Sequence, residues 1–299
     1  MSKATVDVAI ALLFHHHQVL VGWREAKQHQ GNKHEFPGGK VEPNETPGEA
    51  CRREVFEEVG IQLEQVYPFD FIRHEYDDLI VQLHLFQAYV DETQLELIQH
   101  PWSWYEREQL CTLNFPKAND AIIQRLLWPR HIQISSDLQD LMDLSPDRLL
   151  YWRTDVLEPN ELKQLNALTA SQLNHLILNI DVWSQLEKSG QSRIGAVHFK
   201  QSQLMDAALK KPLGLRSIAA CHDLASLEQA QHMGFDAVFL SPVLATPTHP
   251  HTPALGWAKF SCMAKQCHLP IFALGGMTPE DLTEVRKNAG YGVAGMSNF

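Results

Sequence analysis

The stretch RREVFEEVGI, residues 52–61, decides how the first half of the chain is read. It places three carboxylates, Glu54, Glu57 and Glu58, at i, i+3 and i+4, so on a helix they share one face. Cys51, Val55 and Val59 recur at i, i+4 and i+8 and form the stripe such a helix buries. Upstream, Thr46 suits the N-cap, Pro47 the first helical position, and Glu49 completes a Thr-x-x-Glu capping box. Gly60 supplies the stop, so a helix is predicted between Thr46 and Gly60.

Like charges at these spacings repel by roughly a few tenths of a kcal/mol per pair. The carboxylates alone fit either a solvated charged face or a divalent-metal cradle. Magnesium takes oxygen ligands and keeps waters beside a substrate's phosphates, which suits an open carboxylate cluster. The adjoining FPGGKVEPNE (36–45) adds two glycines where a backbone carbonyl can turn toward such an ion.

Length and charge bound the remainder. With 299 residues the chain exceeds a usual single domain, so two domains are expected, although one barrel of this length would also fit. A formal charge of -11 disfavours a nucleic-acid backbone or an anionic membrane as partner, so a phosphate ligand must be held locally by metal or a few cations. Five cysteines, odd in number and without a CxxC pair, argue against a disulfide framework and for a reducing, cytoplasmic setting. The apolar run VAIALLF (8–14) follows Asp7 without a basic leader and reads as a poor signal peptide. No stretch approaches the roughly 20 apolar residues needed to span a bilayer.

The chain has two rhythms. Residues 4–14 and 18–24 read as strands around a HHH turn (15–17), and LIVQLHLFQAYV (79–90) reads as a further long strand. After LLWPR (126–130), apolar runs alternate with helical stretches: HIQIS (131), RLLYWRT (148), HLILNI (175), GAVHF (195), RSIAAC (216), DAVFLSP (236), PIFALGG (270) and YGVAGMS (291). Such alternation predicts a short TIM-type β/α barrel. Pro129 marks the boundary, giving domains 1–128 and 131–299.

Gly39, five residues, Glu45, seven residues and REVFEEVGI match the Nudix box at all nine specified positions. The chain thus resembles Nudix hydrolases, which cleave nucleoside diphosphates linked to another group, using magnesium or manganese. The resemblance implies an α/β protein whose first domain is a Nudix α/β/α sandwich with a mixed sheet. It implies Glu54, Glu57, Glu58 and the Gly38 carbonyl as metal ligands, Glu54 also polarising the attacking water, and Arg53 holding the glutamates by ion pairing.

WREAKQHQGNKHEFPGGKVEPNETP (23–47) and LNFPKAND (113–120) are similar to the MutT-type 8-oxo-dGTP diphosphatases over roughly residues 4 to 128. That similarity implies a small-molecule nucleotide substrate, 8-oxo-dGTP, and a role in clearing the nucleotide pool before DNA replication. It implies a pocket lined by Arg24, His29, Glu35, Phe36, Pro37, Gly38 and Asn119. Without the resemblance, Asn119 reads as a helix cap before DAIIQRLL. Guanine presents two acceptors, O6 and N7, on one edge, whereas the 8-oxo base carries hydrogen on N7. A side-chain amide, one donor and one acceptor, matches the oxidised edge. One departure stands out: in LELIQHPWSW (95–104) Ile98 or Gln99 occupies the place of a further glutamate, with Glu96 as a substitute from a shifted loop.

Residues 131–299 resemble thiamine phosphate synthases and TenI-like barrels through AACHDLASLEQA (219–230), GFDAVFLSPVLATPTHP (234–250) and HLPIFALGGMTPEDL (268–282). In such barrels phosphate sits at the C-terminal strand ends on N–H groups of glycine turns. The implied ligand residues are Arg153, Asn179, His222, Thr246, Thr248, Gly275 and Gly276. Asp155 stands where the family has a lysine, Asp181 is displaced by one, Gln203 replaces an acid and His249 a lysine. The expectation is a barrel without synthase activity, either a phosphate-ligand module or a thiazole tautomerase-like enzyme using His222 for proton transfer.

Overall fold

Both faces of strand β1 (Ala4–His15) are covered, and that decides the layering of the first half. Ala9, Ala11 and Leu13 join Ala50, Cys51, Val55 and Val59 of helix α1 (Pro47–Val59) in one buried cluster. Leu12 and Phe14, of opposite parity, join Ile122, Ile123 and Leu126 of helix α2 (Asp120–Leu126) in another. Because strand side chains alternate, one strand supplies both cores, and a helix lies on each face of its sheet. Each fully buried aliphatic side chain contributes about 1.5–3 kcal/mol.

The remaining strands are β2 (Gln18–Arg24), β3 (Lys33–Glu35), β4 (Gly38–Lys40), β5 (Tyr67–Glu75), β6 (Leu79–Tyr89) and β7 (Trp102–Glu106). They form a sheet of order β3-β2-β1-β6-β5, with β4 on β1 and β7 on β2. β1 and β6 run parallel from Ala4 opposite Leu79 to Phe14 opposite Tyr89, and the other pairs are antiparallel. The sheet is therefore mixed, as expected. The α1 signals hold: Thr46 Oγ1 accepts from Glu49 N, Glu49 Oε2 accepts from Thr46 N, and Gly60 closes the helix in the left-handed conformation.

The computed structural model describes residues 3–26, 31–75, 77–246, 253–296 and 299. They fall into two compact units, Met1–Trp128 and Pro129–Phe299. In the second, strands β8 (His131–Ser135), β9 (Arg148–Trp152), β10 (Leu176–Asn179), β11 (Ala196–Phe199), β12 (Arg216–Cys221), β13 (Ala237–Leu240), β14 (Ile271–Leu274) and β15 (Gly292–Gly295) close in sequence order into a parallel barrel. Each apolar run named above holds one of these strands. Most are buried on both faces, hence apolar runs rather than alternation, whereas β8 alternates buried and half-buried residues.

Tyr151, His198 and Phe239, from the alternate strands β9, β11 and β13, form one interior layer, with ring centroids 4.6 Å apart for Tyr151–His198 and 5.5 Å for His198–Phe239. Outside, Leu165, Leu173 and Val182 of the flanking helices pack against Leu150, Trp152, Leu176 and Leu178. Among the described residues no helix is long and apolar enough to cross a membrane.

Candidate active site

Arg53 is the hub of the acidic helix face. Its Nη2 lies 2.8 Å from Glu45 Oε1 and its Nη1 2.8 Å from Glu54 Oε1, with Glu57 Oε2 further away at 3.4 Å. Nη2 also donates to the Lys40 carbonyl at 3.1 Å, which ties the helix to the glycine loop. Hydrogen bonding to Glu45 and Glu54 pushes the Arg53 pKa up, and Arg53 in turn holds Glu45 below the usual carboxylate range. Two of the three clustered carboxylates are thus partly neutralised from within the helix.

The third is held by the loop. Gly38 N donates to Glu58 Oε2 at 3.0 Å. Partial burial, reinforced by the charges of Glu35 and Glu54, pushes Glu58 up to about 7, against the pull of the Gly38 bond and of Arg24. Gly38 adopts φ +154°, and a Cβ there would meet the Ala9 carbonyl oxygen at 2.2 Å. A Cβ on Gly39 would meet Glu54 Oε1 at 2.2 Å, so this glycine makes room for the carboxylate. The Trp102 indole donates to the Glu58 carbonyl at 2.8 Å and anchors the helix end.

On the neighbouring strands Arg24 Nε donates to Glu35 Oε2 at 2.7 Å. Phe36 is buried and stacks on Phe115 with centroids 5.0 Å apart. The Pro37 carbonyl accepts from Ala11 N, fixing the loop to β1. Asn119 occupies the N-cap position of α2 and is only 9% exposed, yet makes no capping bond. Among the described residues its amide has no hydrogen-bond partner. His29 lies outside the described residues. Ile98 packs against the α1 core, whereas Glu96 and Gln99 are exposed.

At the C-terminal strand ends of the barrel, Gln203 Nε2 donates to Asp181 Oδ2 at 2.7 Å and lies 3.4 Å from Asn179 Oδ1. Asp155 pairs with Lys200 Nζ at 2.7 Å, which holds Asp155 below its usual pKa. Arg153 reaches only the Met296 sulfur, at 4.0 Å, and has no carboxylate partner among the described residues. The His222 Nδ1 lies 2.7 Å from the Ser241 carbonyl. Gly275 and Gly276 sit against Pro242 and Leu244, and Thr246 is half-buried at the end of that turn. Thr248 and His249 lie outside the described residues.

A family model described as NUDIX domain matches residues 9–125, and one described as thiamine monophosphate synthase matches residues 159–299. The 8-oxo-dGTP diphosphatase of Proteus vulgaris is 36% identical over 112 residues, covering 37% of this chain and 98% of the relative. The chain belongs to the Nudix hydrolase family. The 8-oxo-dGTP diphosphatase of Escherichia coli (strain K12) is 34% identical over 128 residues, 42% of this Nudix protein and 98% of that enzyme. The thiamine-phosphate synthase of Synechococcus sp. (strain WH7803) is 31% identical over 198 residues, 64% of this chain but 52% of the synthase, about half its length. As a Nudix hydrolase the protein acts on phosphorus-containing anhydrides.

Nudix hydrolases are generally divalent-metal dependent. The donor chemistry fits such an ion: Glu54, Glu57 and Glu58 offer hard carboxylate oxygens from one helix, and Gly39, lacking a Cβ, leaves the Glu54 carboxylate room beside the loop. Among the described residues no group of three His, Cys, Asp or Glu is arranged to hold a metal. Arg53 draws Glu54 one way, the Gly38 N–H draws Glu58 another, and Glu57 projects outward.

Reading the Nudix sequence alone missed two pairs. Lys200 supplies a cation at the barrel mouth, signalled only by following directly on the VHF strand. His34 and Asn114 join the β3 strand to the LNFPKAND segment, and no local pattern links residues so far apart.

Proposed function

We propose that residues 1–128 form a domain that hydrolyses 8-oxo-dGTP to 8-oxo-dGMP and pyrophosphate in the cytoplasm, with magnesium as its ion and manganese as a substitute. The observation that carries this is Asn119, buried with its amide unpaired. The amide takes no part in capping α2, which leaves its donor and acceptor open to a ligand. Its donor and acceptor match the edge of the oxidised base, acceptor O6 beside an N7–H donor, and on unmodified guanine leave one mismatch. Such a mismatch supports discrimination up to ~10⁴.

In this reading Phe36 packs on the base, while Arg24, His29, Glu35, Pro37 and Gly38 shape the pocket. Glu54, Glu57, Glu58 and the Gly38 carbonyl would hold the ion, which would supply charge neutralisation for the phosphates. Glu54 polarises the water that attacks the β-phosphorus, and Arg53 keeps that carboxylate aimed. Product analysis of a nucleotide panel with wild type and Glu54→Gln tests this. Magnesium-dependent release of pyrophosphate that Glu54→Gln abolishes is expected; equal rates in both proteins would remove Glu54 from the chemistry.

We propose that residues 131–299 bind a phosphate-bearing ligand without synthase turnover, through Arg153, Asn179, Thr246, Thr248, Gly275 and Gly276. Supporting this, the Gln203 amide occupies the oxygens of Asp181 and Asn179, and Asp155 ties up Lys200. A tautomerase-like alternative rests on His222, whose Nδ1 bond to the Ser241 carbonyl leaves Nε2 as the basic nitrogen. Calorimetry with a thiazole phosphate should show binding, and thiamine phosphate formation would overturn the loss of synthase chemistry. Thiazole tautomerisation lost in His222→Gln would favour the alternative.

A further inference from the structure

His34 stands on β3 immediately before Glu35 and Phe36, two residues assigned to the nucleotide site. Its backbone N donates to the Asn114 carbonyl at 2.8 Å, and Asn114 N returns a bond to His34 Nδ1 at 3.2 Å. The Asn114 side chain adds a third link, Nδ2 to the Asn32 carbonyl at 2.8 Å. The ring lies among Trp23, Tyr105 and Phe115, with centroids at 4.8, 6.1 and 5.8 Å. Phe115 in turn stacks on Phe36, and Asn119 follows on the same segment.

Because Nδ1 accepts the Asn114 N–H, the ring proton sits on Nε2 and the imidazole is neutral. Burial agrees, holding His34 below the usual histidine pKa. The bond spans 80 positions of sequence, so it fixes tertiary placement and not local conformation. Here β3 carries Glu35 and leads directly into Phe36, and the linked segment carries the amide.

The geometry points to His34 as a positioning residue: its Nδ1 clamps the segment bearing Phe115 and Asn119 onto the strand bearing Glu35 and Phe36, and so sets selectivity for the nucleobase. This rests on the reading of Asn119 given above. His34 does not touch the reacting phosphates in this arrangement, so its loss raises KM and relaxes base discrimination while kcat holds. An intramolecular hydrogen bond of this kind is worth about two- to tenfold in an equilibrium.

The test uses the full chain with magnesium and compares 8-oxo-dGTP with dGTP. His34→Leu and His34→Phe both remove the acceptor, the second keeping a ring. His34→Asn keeps an acceptor near the Nδ1 position. Both acceptor-free variants should raise KM for 8-oxo-dGTP by about two- to tenfold and lower its preference over dGTP by a similar factor, with kcat within about twofold. His34→Asn should restore most of the preference, which a purely structural role for the ring would not predict. A wild type without preference for the oxidised nucleotide overturns the reading of Asn119 and this inference together. A wild-type preference kept in full by His34→Leu or His34→Phe, or a loss confined to kcat, overturns this inference alone.

Discussion

The carboxylate of Glu54 occupies the space beside Gly39 that any side chain there would need, at 2.2 Å from the position of a Cβ. Gly39 is not among the glycines held at positive φ, so its role is room and not backbone conformation. Gly39→Ala should leave the fold intact and displace Glu54. A displacement of about 1 Å at a reacting group costs on the order of 10²-fold in rate. Steady-state kinetics should show that loss in kcat with an unchanged melting temperature; full activity would mean that Glu54 moves without consequence.

Arg53 contacts Glu45 and Glu54 through different nitrogens of one planar fork. Lysine has a single ammonium and cannot span both. Arg53→Lys should therefore behave almost like Arg53→Gln, raising the half-saturating magnesium concentration or lowering activity by about 10–100-fold, as loss of a group that orients metal ligands does. A metal titration that is superimposable on wild type would show that the fork does not matter.

His198 is buried in the barrel layer between Tyr151 and Phe239, and among the described residues its Nδ1 has no hydrogen-bond partner. Burial depresses its pKa to about 3, aided by the charges of Lys200 and Arg153. In the unfolded chain the same ring takes up a proton near the ordinary histidine value of 6.5. Between these values the unfolded state binds the extra proton. The stability from His198 is thus present in full above pH 6.5 and is lost as pH falls toward 3. The slope approaches 1.4 kcal/mol per pH unit, roughly, for one proton. Denaturant titrations between pH 4 and 6, reporting on barrel unfolding, should give a shallower pH dependence for His198→Leu than for wild type, by about one proton. Parallel curves would mean that the ring is protonated in place.

Sequence and structure agree where the signal is local or periodic. The α1 boundaries follow from Thr46, Glu49 and Gly60, whose bonds all lie within one turn of the helix ends. Most barrel strands were legible because burial on both faces leaves apolar runs, and β8 was legible by its alternation. Strands β3 and β4 were not, since each has three residues beside glycine or proline and forms only because β2 and β1 offer edges. Strand β5, YPFDFIRHE, buries only Phe69 and is anchored by the pairing of Asp70 with Arg125 of α2, so no alternation announces it. At the site, the box residues were visible as a pattern, but the division of labour among them was not. That Arg53 serves Glu45 and Glu54, while Gly38 serves Glu58, depends on how the loop folds back on the helix.

Discrimination against the unmodified nucleotide is the central claim, and it rests on the unpaired amide of Asn119. The direct measurement is the ratio of kcat/KM for 8-oxo-dGTP to that for dGTP, in magnesium, for wild type and Asn119→Ala. The account predicts a wild-type preference of about 10² or more, within the ~10⁴ that one buried polar mismatch allows, collapsing toward unity in the variant. Comparable turnover of the two nucleotides by wild type would contradict it.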